Sequence, residues 1–214
     1  MRRWRRAYYD IFAPFYDGFI ALHSGDKSDA ARRFLAALVP VGRGGAVLDL
    51  CTGTGTLLSY LQEKVGEPGR VVGVDFSSGM LQKAREKTSA RRNISVVEAD
   101  VTQLPFDADS FDAVTCSHAF YELKGEIREK ALGEIVRVLR PGGAFLMMEH
   151  ETPVRLIPKL LFFVRLWLAG SGHAIAFLRL EEAQLAKFFV SVKRMSAPGG
   201  RSKVLVCRKK ERDS

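Results

Sequence analysis

Short apolar runs alternate with longer segments in which apolar residues recur at helical spacing, between residues 46 and 150. The runs predict strands that are covered on both faces, because each is short and mostly apolar. They are AVLDL (46–50), RVVGVDF (70–76), ISVVEA (94–99), FDAVTCS (111–117) and GAFLMMEH (143–150). The helical segments between them are 56–65, 78–90 and 127–139, the last of which ends at RPGG (140–143). This alternation predicts an α/β fold with a doubly wound, mostly parallel sheet and helices on both faces.

The two ends of the chain follow different patterns. Residues 154–170 predict a long, largely apolar helix, and residues 180–189 predict a further amphipathic helix. Two runs, 190–197 and 202–209, flank a PGG turn and predict a hairpin, so the sheet should end in an antiparallel pair. The chain is long enough for one domain with a full core. We expect residues 1–214 to form a helical N-terminal cap (1–40), a core (41–152), a covering segment (153–187) and the terminal hairpin (188–214).

Composition and charge narrow the class of protein. Hydrophobic residues make up 47% and charged residues 27%, which is typical of a soluble globular protein. Three cysteines without paired spacing argue against a disulfide framework or a zinc site and fit a reducing cytoplasm. The net charge of +9, with MRRWRR and RKKER near the two ends, fits either solubility alone or an anionic partner, and the sequence leaves both open. We expect neither a signal peptide nor a spanning helix, because the required apolar runs are missing from the sequence.

The segment VLDLCTGTG (47–55) places a glycine turn directly after a predicted strand. Gly53 and Gly55 allow the sharp turn into the next helix and let a ligand approach the backbone closely. Asp75 ends the second predicted strand twenty residues after Gly55, and Asp100 follows the third. Both acids lie at carboxyl ends of strands, the edge at which open α/β folds bind ligands. The pattern predicts a site for a nucleotide-like cofactor.

Two details of the turn indicate the type of cofactor. A dinucleotide fingerprint needs a third glycine, and Leu58 stands at that position. An acid, Asp49, precedes the turn and would repel a pyrophosphate, but it suits a cationic ligand. S-adenosyl-L-methionine carries both an ammonium and a sulfonium group. Both details therefore favour this cofactor over a dinucleotide.

Four motifs resemble, in order and spacing, those of class I S-adenosylmethionine-dependent methyltransferases. They are VLDLCTGTG, VVGVDFSSGML, VVEADVTQLPFDADSFDAVTCSHAF and EIVRVLRPGGAFLMME, within residues 8–152. The resemblance is nearest to the ubiquinone and menaquinone biosynthesis C-methyltransferases and their generic relatives. It implies a Rossmann-like sheet of seven strands with a terminal antiparallel hairpin, and S-adenosyl-L-homocysteine as the product formed from the cofactor. It also implies that residues 153–187 form a lid over the methyl acceptor.

Carried over by position, the resemblance implies a set of cofactor-binding residues. Asp49 would bind the ammonium, Asp75 the ribose hydroxyls and Asp100 the adenine. The complete set is Asp49, Gly53, Thr54, Gly55, Asp75, Phe76, Asp100, Val101 and Ser117, with Tyr16 as a contact from the N-terminal cap. The alternative for Tyr16 is packing within an amphipathic helix. Cys51 stands where the family often has glycine or alanine, and we expect this small side chain to pack rather than react.

The predicted acceptor side of the site carries the candidate catalytic residues His118 and Tyr121. His118 follows the fourth strand, and its ordinary pKa suits a general base; a hydrogen-bonded structural role is the alternative. Glu149 and His150 end the fifth strand on the same side, while His150 and His173 are weaker candidates for the base. The predicted function is therefore methyl transfer, with or without proton removal by His118.

The apolar segment 154–170 predicts either an apolar acceptor pocket or a face that docks on membrane lipid. The predicted acceptor is a small or lipid-like hydrophobic molecule, such as a quinone precursor or a phospholipid amine. The protein is expected in the cytoplasm, with peripheral membrane contact as an open alternative. Two other functions stay open: an RNA methyltransferase, which the basic charge favours, and a cofactor-binding interaction protein without catalysis. We expect no nucleic acid partner, because the basic residues cluster at the termini. We expect no metal, because the cysteines have no paired spacing.

Overall fold

A seven-stranded sheet forms the centre of the structure, a computed structural model that describes residues 2–23, 29–151 and 180–212. Its strands are β1 (Ala46–Leu50), β2 (Arg70–Asp75), β3 (Ile94–Glu98), β4 (Phe111–Ser117), β5 (Leu139–His150), β6 (Ser191–Ser196) and β7 (Ser202–Arg208). They are arranged in the order β3-β2-β1-β4-β5-β7-β6. The first five strands are parallel, while β7 pairs antiparallel with both β5 and β6. The predicted α/β fold with a C-terminal antiparallel hairpin is therefore confirmed.

Helices cover both faces of this sheet. They are α1 (Arg2–His23), α2 (Ala30–Leu38), α3 (Thr56–Val65), α4 (Ser78–Thr88) and α5 (Gly125–Val138), with a 3-10 turn at Phe120–Glu122. The two faces have separate cores because side chains alternate along a strand. In β1, Val47 belongs to the core that includes Leu35 of α2 and Leu58 of α3. The next residue, Leu48, belongs to the core that includes Leu132 of α5.

The observed elements differ from the predicted ones mainly at the start of β5. Helix α5 ends at Val138, and the RPGG segment 140–143 lies inside β5 rather than in a loop. The strand can begin early because Leu139 pairs with Phe111, and the register then shifts between Phe111 and Ala113. The prediction was wrong here because proline and glycine favour a break in the chain locally, whereas pairing with β4 determines where the strand begins. Strands β2 and β3 and helix α4 each end one or two residues before the predicted bound.

Helix α1 lies across the carboxyl ends of β2 and β3. Arg6 forms an ion pair with Glu98, the last residue of β3. The carboxylate of Asp10 accepts hydrogen bonds from the Ser77 hydroxyl at 2.6 Å and from the backbone N–H of Gly79 at 3.0 Å. A Cβ at Gly79 would lie 2.8 Å from the carbonyl oxygen of Asp10, so the helices meet at backbone distance. Helix α1 therefore forms one wall of the ligand-binding edge of the sheet.

The predicted covering segment lies mostly outside the described residues. The apolar segment 154–170 and His173 lie outside them entirely. The chain is helical over residues 180–185, and Leu185 is fully buried in the same core as α5. None of the helices among the described residues is long and apolar enough to cross a bilayer.

Candidate functional site

The turn after β1 has a backbone that favours glycine. Cys51, Gly53 and Gly55 adopt positive φ angles of 53°, 55° and 76°. A Cβ on Gly55 would lie 2.8 Å from the Cβ of Ala84 in α4, so glycine is required there. Gly53 faces open space, with no atom within 4 Å of the position of a Cβ. Its backbone is therefore open to close approach by a ligand, as a cofactor-binding turn requires.

Asp49 is a buried carboxylate directly below this turn. It is 2% exposed and accepts hydrogen bonds from the hydroxyls of Thr52 and Thr115, both at 2.7 Å. Burial raises the pKa of Asp49 from its ordinary 3.8 to about 6, although both hydroxyl bonds lower it. Arg32 lines the cavity beside this turn and its charge lowers the pKa of Asp49 slightly, but its ion pair is with Asp29. A buried carboxylate that is held by neutral hydroxyls suits a cationic ligand.

Asp75 connects the glycine turn to the turn after β2. Its carboxylate is 6% exposed and accepts the backbone N–H groups of Gly53 at 2.9 Å and of Ser77 at 3.0 Å. Burial raises the pKa of Asp75, against the lowering effect of these backbone donors. The adjacent Phe76 packs edge-on against the ring of Tyr9 in α1, with centroids 5.7 Å apart. Asp75 therefore fixes the positions of these two turns, and its contact with a ribose stays a prediction.

Asp100 and Val101 lie just beyond the end of β3. One carboxylate oxygen of Asp100 accepts the backbone N–H of Thr102 at 2.9 Å and its hydroxyl at 2.7 Å. Asp100 also forms an isolated bridge with Gln103. These bonds fix a tight turn at the carboxyl edge of the sheet. The predicted contact of both residues with the adenine stays a prediction.

A cavity of about 40 Å³ lies between the glycine turn and α1. Several of the predicted cofactor-binding residues line it together: Tyr16, Asp49, Gly53, Thr54 and Ser117. Pockets for small molecules measure about 300–1,000 Å³. The enclosed space between the turn and α1 is therefore smaller than a ligand of nucleoside size requires.

A larger cavity of about 420 Å³ lies at the opposite ends of the strands, beside Arg70, Phe106 and Arg137. Its arginines already have partners: Arg137 binds Glu134 at 2.7 Å, and Arg70 lies over the ring of Phe111 at 4.8 Å. This cavity is formed at the amino ends of β2 and β4, where open α/β folds do not bind their ligands. The smaller cavity is therefore the candidate site.

His118 is held by two serine hydroxyls at the end of β4. Its Nδ1 lies 3.2 Å from the Ser117 hydroxyl and its Nε2 lies 2.9 Å from that of Ser202 in β7. The ring also lies 4.7 Å from the ring of His150, between centroids. His118 adopts a φ of 52°, which is uncommon for a residue with a Cβ and is found at functional sites. The hydrogen-bonded role that the sequence left open is thus present, and the catalytic role stays a prediction.

Tyr121 and Glu149 meet on the predicted acceptor side of the site. Glu149 is fully buried, and one of its oxygens accepts the backbone N–H of Tyr121 at 3.1 Å. Its other oxygen has no hydrogen-bond partner in the part of the chain that the structure describes. Burial raises the pKa of Glu149 to about 8. Burial and the charges of Glu122 and Glu149 also raise the pKa of Tyr121, so the phenol is protonated at neutral pH.

Three residues of the site were missed by sequence reasoning. Thr115 binds Asp49 from β4, Ser202 binds His118 from β7, and Asp10 of α1 binds Ser77 at the start of α4. Their partners are 66, 84 and 67 residues away along the chain. No local motif marks Thr115 or Ser202. Asp10 carries a weak signal, since it is an acid within a segment that was expected to contact the cofactor site.

Comparison with known proteins assigns a family. Residues 47–143 match a family model described as a methyltransferase domain. The chain is 36% identical over 138 residues to the demethylmenaquinone methyltransferase of Staphylococcus epidermidis. The aligned region covers 64% of this chain and 56% of that protein. It is 34% identical over 160 residues to the demethylmenaquinone methyltransferase of Shouchella clausii, covering 72% of this chain and 67% of that protein. The chain thus spans little more than half the length of the first of these relatives.

A solved structure has the same fold. The S-adenosylmethionine-dependent methyltransferase of Aquifex aeolicus superposes with a TM-score of 0.62 at 21% identity. The alignment covers 83% of this chain and 89% of that one. No group of three or more His, Cys, Asp or Glu side chains that could bind a metal occurs in residues 2–23, 29–151 and 180–212.

Proposed function

The chain belongs to the S-adenosylmethionine-dependent methyltransferases, and from this premise we propose that it transfers the cofactor's methyl group to a small or lipid-like hydrophobic acceptor. The observation that carries the proposal is the buried carboxylate of Asp49 beside the open backbone of Gly53. The pair offers a counter-charge for an ammonium and a surface for close approach. A pyrophosphate would find a negative charge there instead.

The chain's own residues are proposed to hold the cofactor along the carboxyl edge of the sheet. The methionine end would lie against Gly53, Thr54 and Gly55, with Asp49 as the partner of its ammonium. The ribose would bind Asp75, and Asp100 with Val101 would contact the adenine. S-adenosylmethionine supplies a methyl group that its sulfonium has already activated. The protein therefore mainly has to align the acceptor and exclude water.

A proton route is proposed on the acceptor side of the site. Ser117 lines the cavity, and its hydroxyl lies 3.2 Å from Nδ1 of His118. Ser117 can therefore take the proton of an acceptor hydroxyl while it passes its own proton to His118. Tyr121 is protonated because burial raises its pKa, and its hydroxyl donates to Glu122 at 3.4 Å, so it can accept a hydrogen bond from the acceptor but not remove its proton. His118 thus stays the proposed base, and Tyr121 is proposed to orient the acceptor.

The proposed acceptor is a quinone-like or phospholipid-like molecule. Support comes from the relatives, whose names state that they act on demethylmenaquinone. Such an acceptor is held in or near a membrane. We therefore propose a cytoplasmic protein with peripheral membrane contact. A transfer assay with labelled methyl groups against lipid, quinone and small-metabolite extracts tests the acceptor class; label in water-soluble metabolites alone would contradict it.

The cofactor assignment is tested by calorimetric titration of S-adenosylhomocysteine. The wild type should bind, and Asp75→Ala should bind at least 100-fold more weakly, since hydrogen bonds to a charged group contribute about 1.5–3 kcal/mol each. Asp107→Ala is the matched control, because Asp107 is an exposed carboxylate beside the cavity at the opposite ends of the strands. Absence of binding by the wild type would contradict the cofactor proposal. Unchanged affinity in a folded Asp75→Ala variant would remove Asp75 from the site.

A further inference from the structure

Helix α1 presents two different faces. Tyr9, Asp10 and Ala13 face the sheet edge, where Ala13 is 3% exposed and Asp10 binds α4. At about 100° per residue, positions 8, 11 and 15 fall within about 60° of one another, on the opposite side of the helix. Tyr8, Ile11 and Phe15 occupy these positions and are 49%, 76% and 69% exposed. We call these three side chains the α1 stripe.

The α1 stripe is more than scattered surface hydrophobicity. Single exposed apolar residues are normal on a soluble protein, but three at i, i+3 and i+7 form one continuous apolar strip. The helix begins at Arg2, and the five residues that follow the initial methionine are four arginines and a tryptophan. A helix that combines an apolar strip with arginine and tryptophan is typical of segments that lie in the plane of a membrane surface.

We propose that the α1 stripe docks on the surface of an anionic lipid bilayer. The proposal rests on the proposed function only in that a lipid-like acceptor gives such docking a purpose. The net charge of +9 is complementary to anionic headgroups, each basic residue near the surface adding attraction. Because α1 covers the edge that carries Asp49, docking places the candidate site within about one helix diameter, roughly 10 Å, of the lipid.

A second copy of the chain fits this surface less well. The three side chains expose on the order of 350 Å², whereas a stable interface buries about 800 Å² on each partner. A symmetric contact through α1 would also bring together two chains that each carry a charge of +9. Both the exposed area and the charge therefore favour a bilayer over self-association.

Vesicle sedimentation tests the proposal. The wild-type chain should bind vesicles of phosphatidylcholine mixed with phosphatidylglycerol, and bind more weakly as salt is raised. The double variant Ile11→Gln/Phe15→Gln should bind these vesicles about 100-fold more weakly, since two large apolar side chains lose their burial in lipid. The matched control is Val190→Gln/Met195→Gln, which removes apolar side chains that are 65% and 39% exposed near the terminal hairpin. Its vesicle binding should equal that of the wild type.

Three results would overturn the proposal. They are no binding of the wild type to the mixed vesicles, equal binding by the wild type and the α1 variant, and an equal loss in both double variants. A dimer that the α1 variant converts to a monomer, without vesicle binding, would assign the stripe to a second copy. Titration of S-adenosylhomocysteine into the same samples separates the two proposals. Wild type that binds vesicles but not this ligand supports the stripe and contradicts the proposed function.

Discussion

Replacing Asp49 by asparagine should stabilise the cofactor-free protein and at the same time remove its affinity for S-adenosylhomocysteine. The side chain is 2% exposed, and burial raises its pKa to about 6. The folded state therefore holds the proton of Asp49 more tightly than the unfolded state does. This stabilisation is present at low pH and is lost as pH rises from about 4 to about 6. At pH 7 the wild type carries the full cost of a buried charge, and the amide of asparagine does not.

The magnitude follows from the pKa and from the hydrogen bonds. The difference between 3.8 and about 6 corresponds to roughly 3 kcal/mol at pH 7, at about 1.4 kcal/mol per pKa unit. Asparagine must donate to one of the two threonine hydroxyls, and Thr115 can turn because its hydroxyl lies 3.5 Å from the carbonyl oxygen of Leu48. The weaker hydrogen bonds offset about 1–2 kcal/mol of the gain. The expected net gain of roughly 1–2 kcal/mol corresponds to about 2–8 °C in Tm.

Thermal melts between pH 4 and pH 7 measure the effect. The Tm of Asp49→Asn should exceed that of the wild type at pH 7, and the order should reverse at pH 4, where Asp49 is protonated and only the weaker hydrogen bonds of asparagine count. In calorimetry, the affinity of the wild type for S-adenosylhomocysteine should fall as Asp49 is protonated, approaching tenfold per pH unit below about 6. Asp75 also has a raised pKa and its charge raises that of Asp49, so the difference in Tm between wild type and Asp49→Asn reports Asp49 together with this coupling. A lower Tm for the variant at pH 7, or unchanged affinity, would refute the reasoning.

Two further predictions concern backbone geometry and a buried ion pair. Gly55→Ala should lower the free energy of unfolding by about 2–4 kcal/mol in urea, since a positive φ is combined with a clash at Ala84. Gly53→Ala should cost only about 1–2 kcal/mol, because its Cβ meets no atom within 4 Å; equal losses would contradict this. Lys203→Met leaves the buried carboxylate of Glu181 unpaired and should cost about 3–5 kcal/mol. Lys203→Met combined with Glu181→Leu should recover most of that loss, and a double variant as unstable as the single one would exclude the pair as the cause.

The centre of the sheet was predictable from the sequence because its strands, such as β1 and β4, are buried on both faces. Runs such as 46–50 and 111–117 are mostly apolar, and the structure ends them at the predicted residues. The start of β5 was not predictable in the same way. Its first residues contain proline and two glycines, which locally favour a turn, and they join the sheet through the pairing of Leu139 with Phe111 and the backbone hydrogen bonds of Gly142 and Gly143 to residues 209–210.

The site was predictable where a local sequence motif marks each residue. The glycine turn, Asp49 and Ser117 stand at strand ends, and the cavity brings them together with Tyr16. The contacts that hold these groups in place could not be predicted, because they come from distant segments. The hydroxyl of Ser202 reaches His118 only because β7 pairs with β5, a register that no local pattern specifies.

The electrostatics of the sheet edge give a reason for the cofactor that is independent of the turn motif. Burial raises the pKa of both Asp49 and Asp75, and the charge of Asp75 raises that of Asp49 further. Two buried acids side by side destabilise the cofactor-free chain, which is the usual sign of a site adapted to a ligand rather than to folding. A cationic ligand relieves this repulsion, and an anionic one adds to it. Leu58, at the position of the missing third glycine, is fully buried in the core beside the turn. The charge of the edge and the packing of the helix thus disfavour a pyrophosphate for separate reasons, and both agree with the proposed ammonium at Asp49.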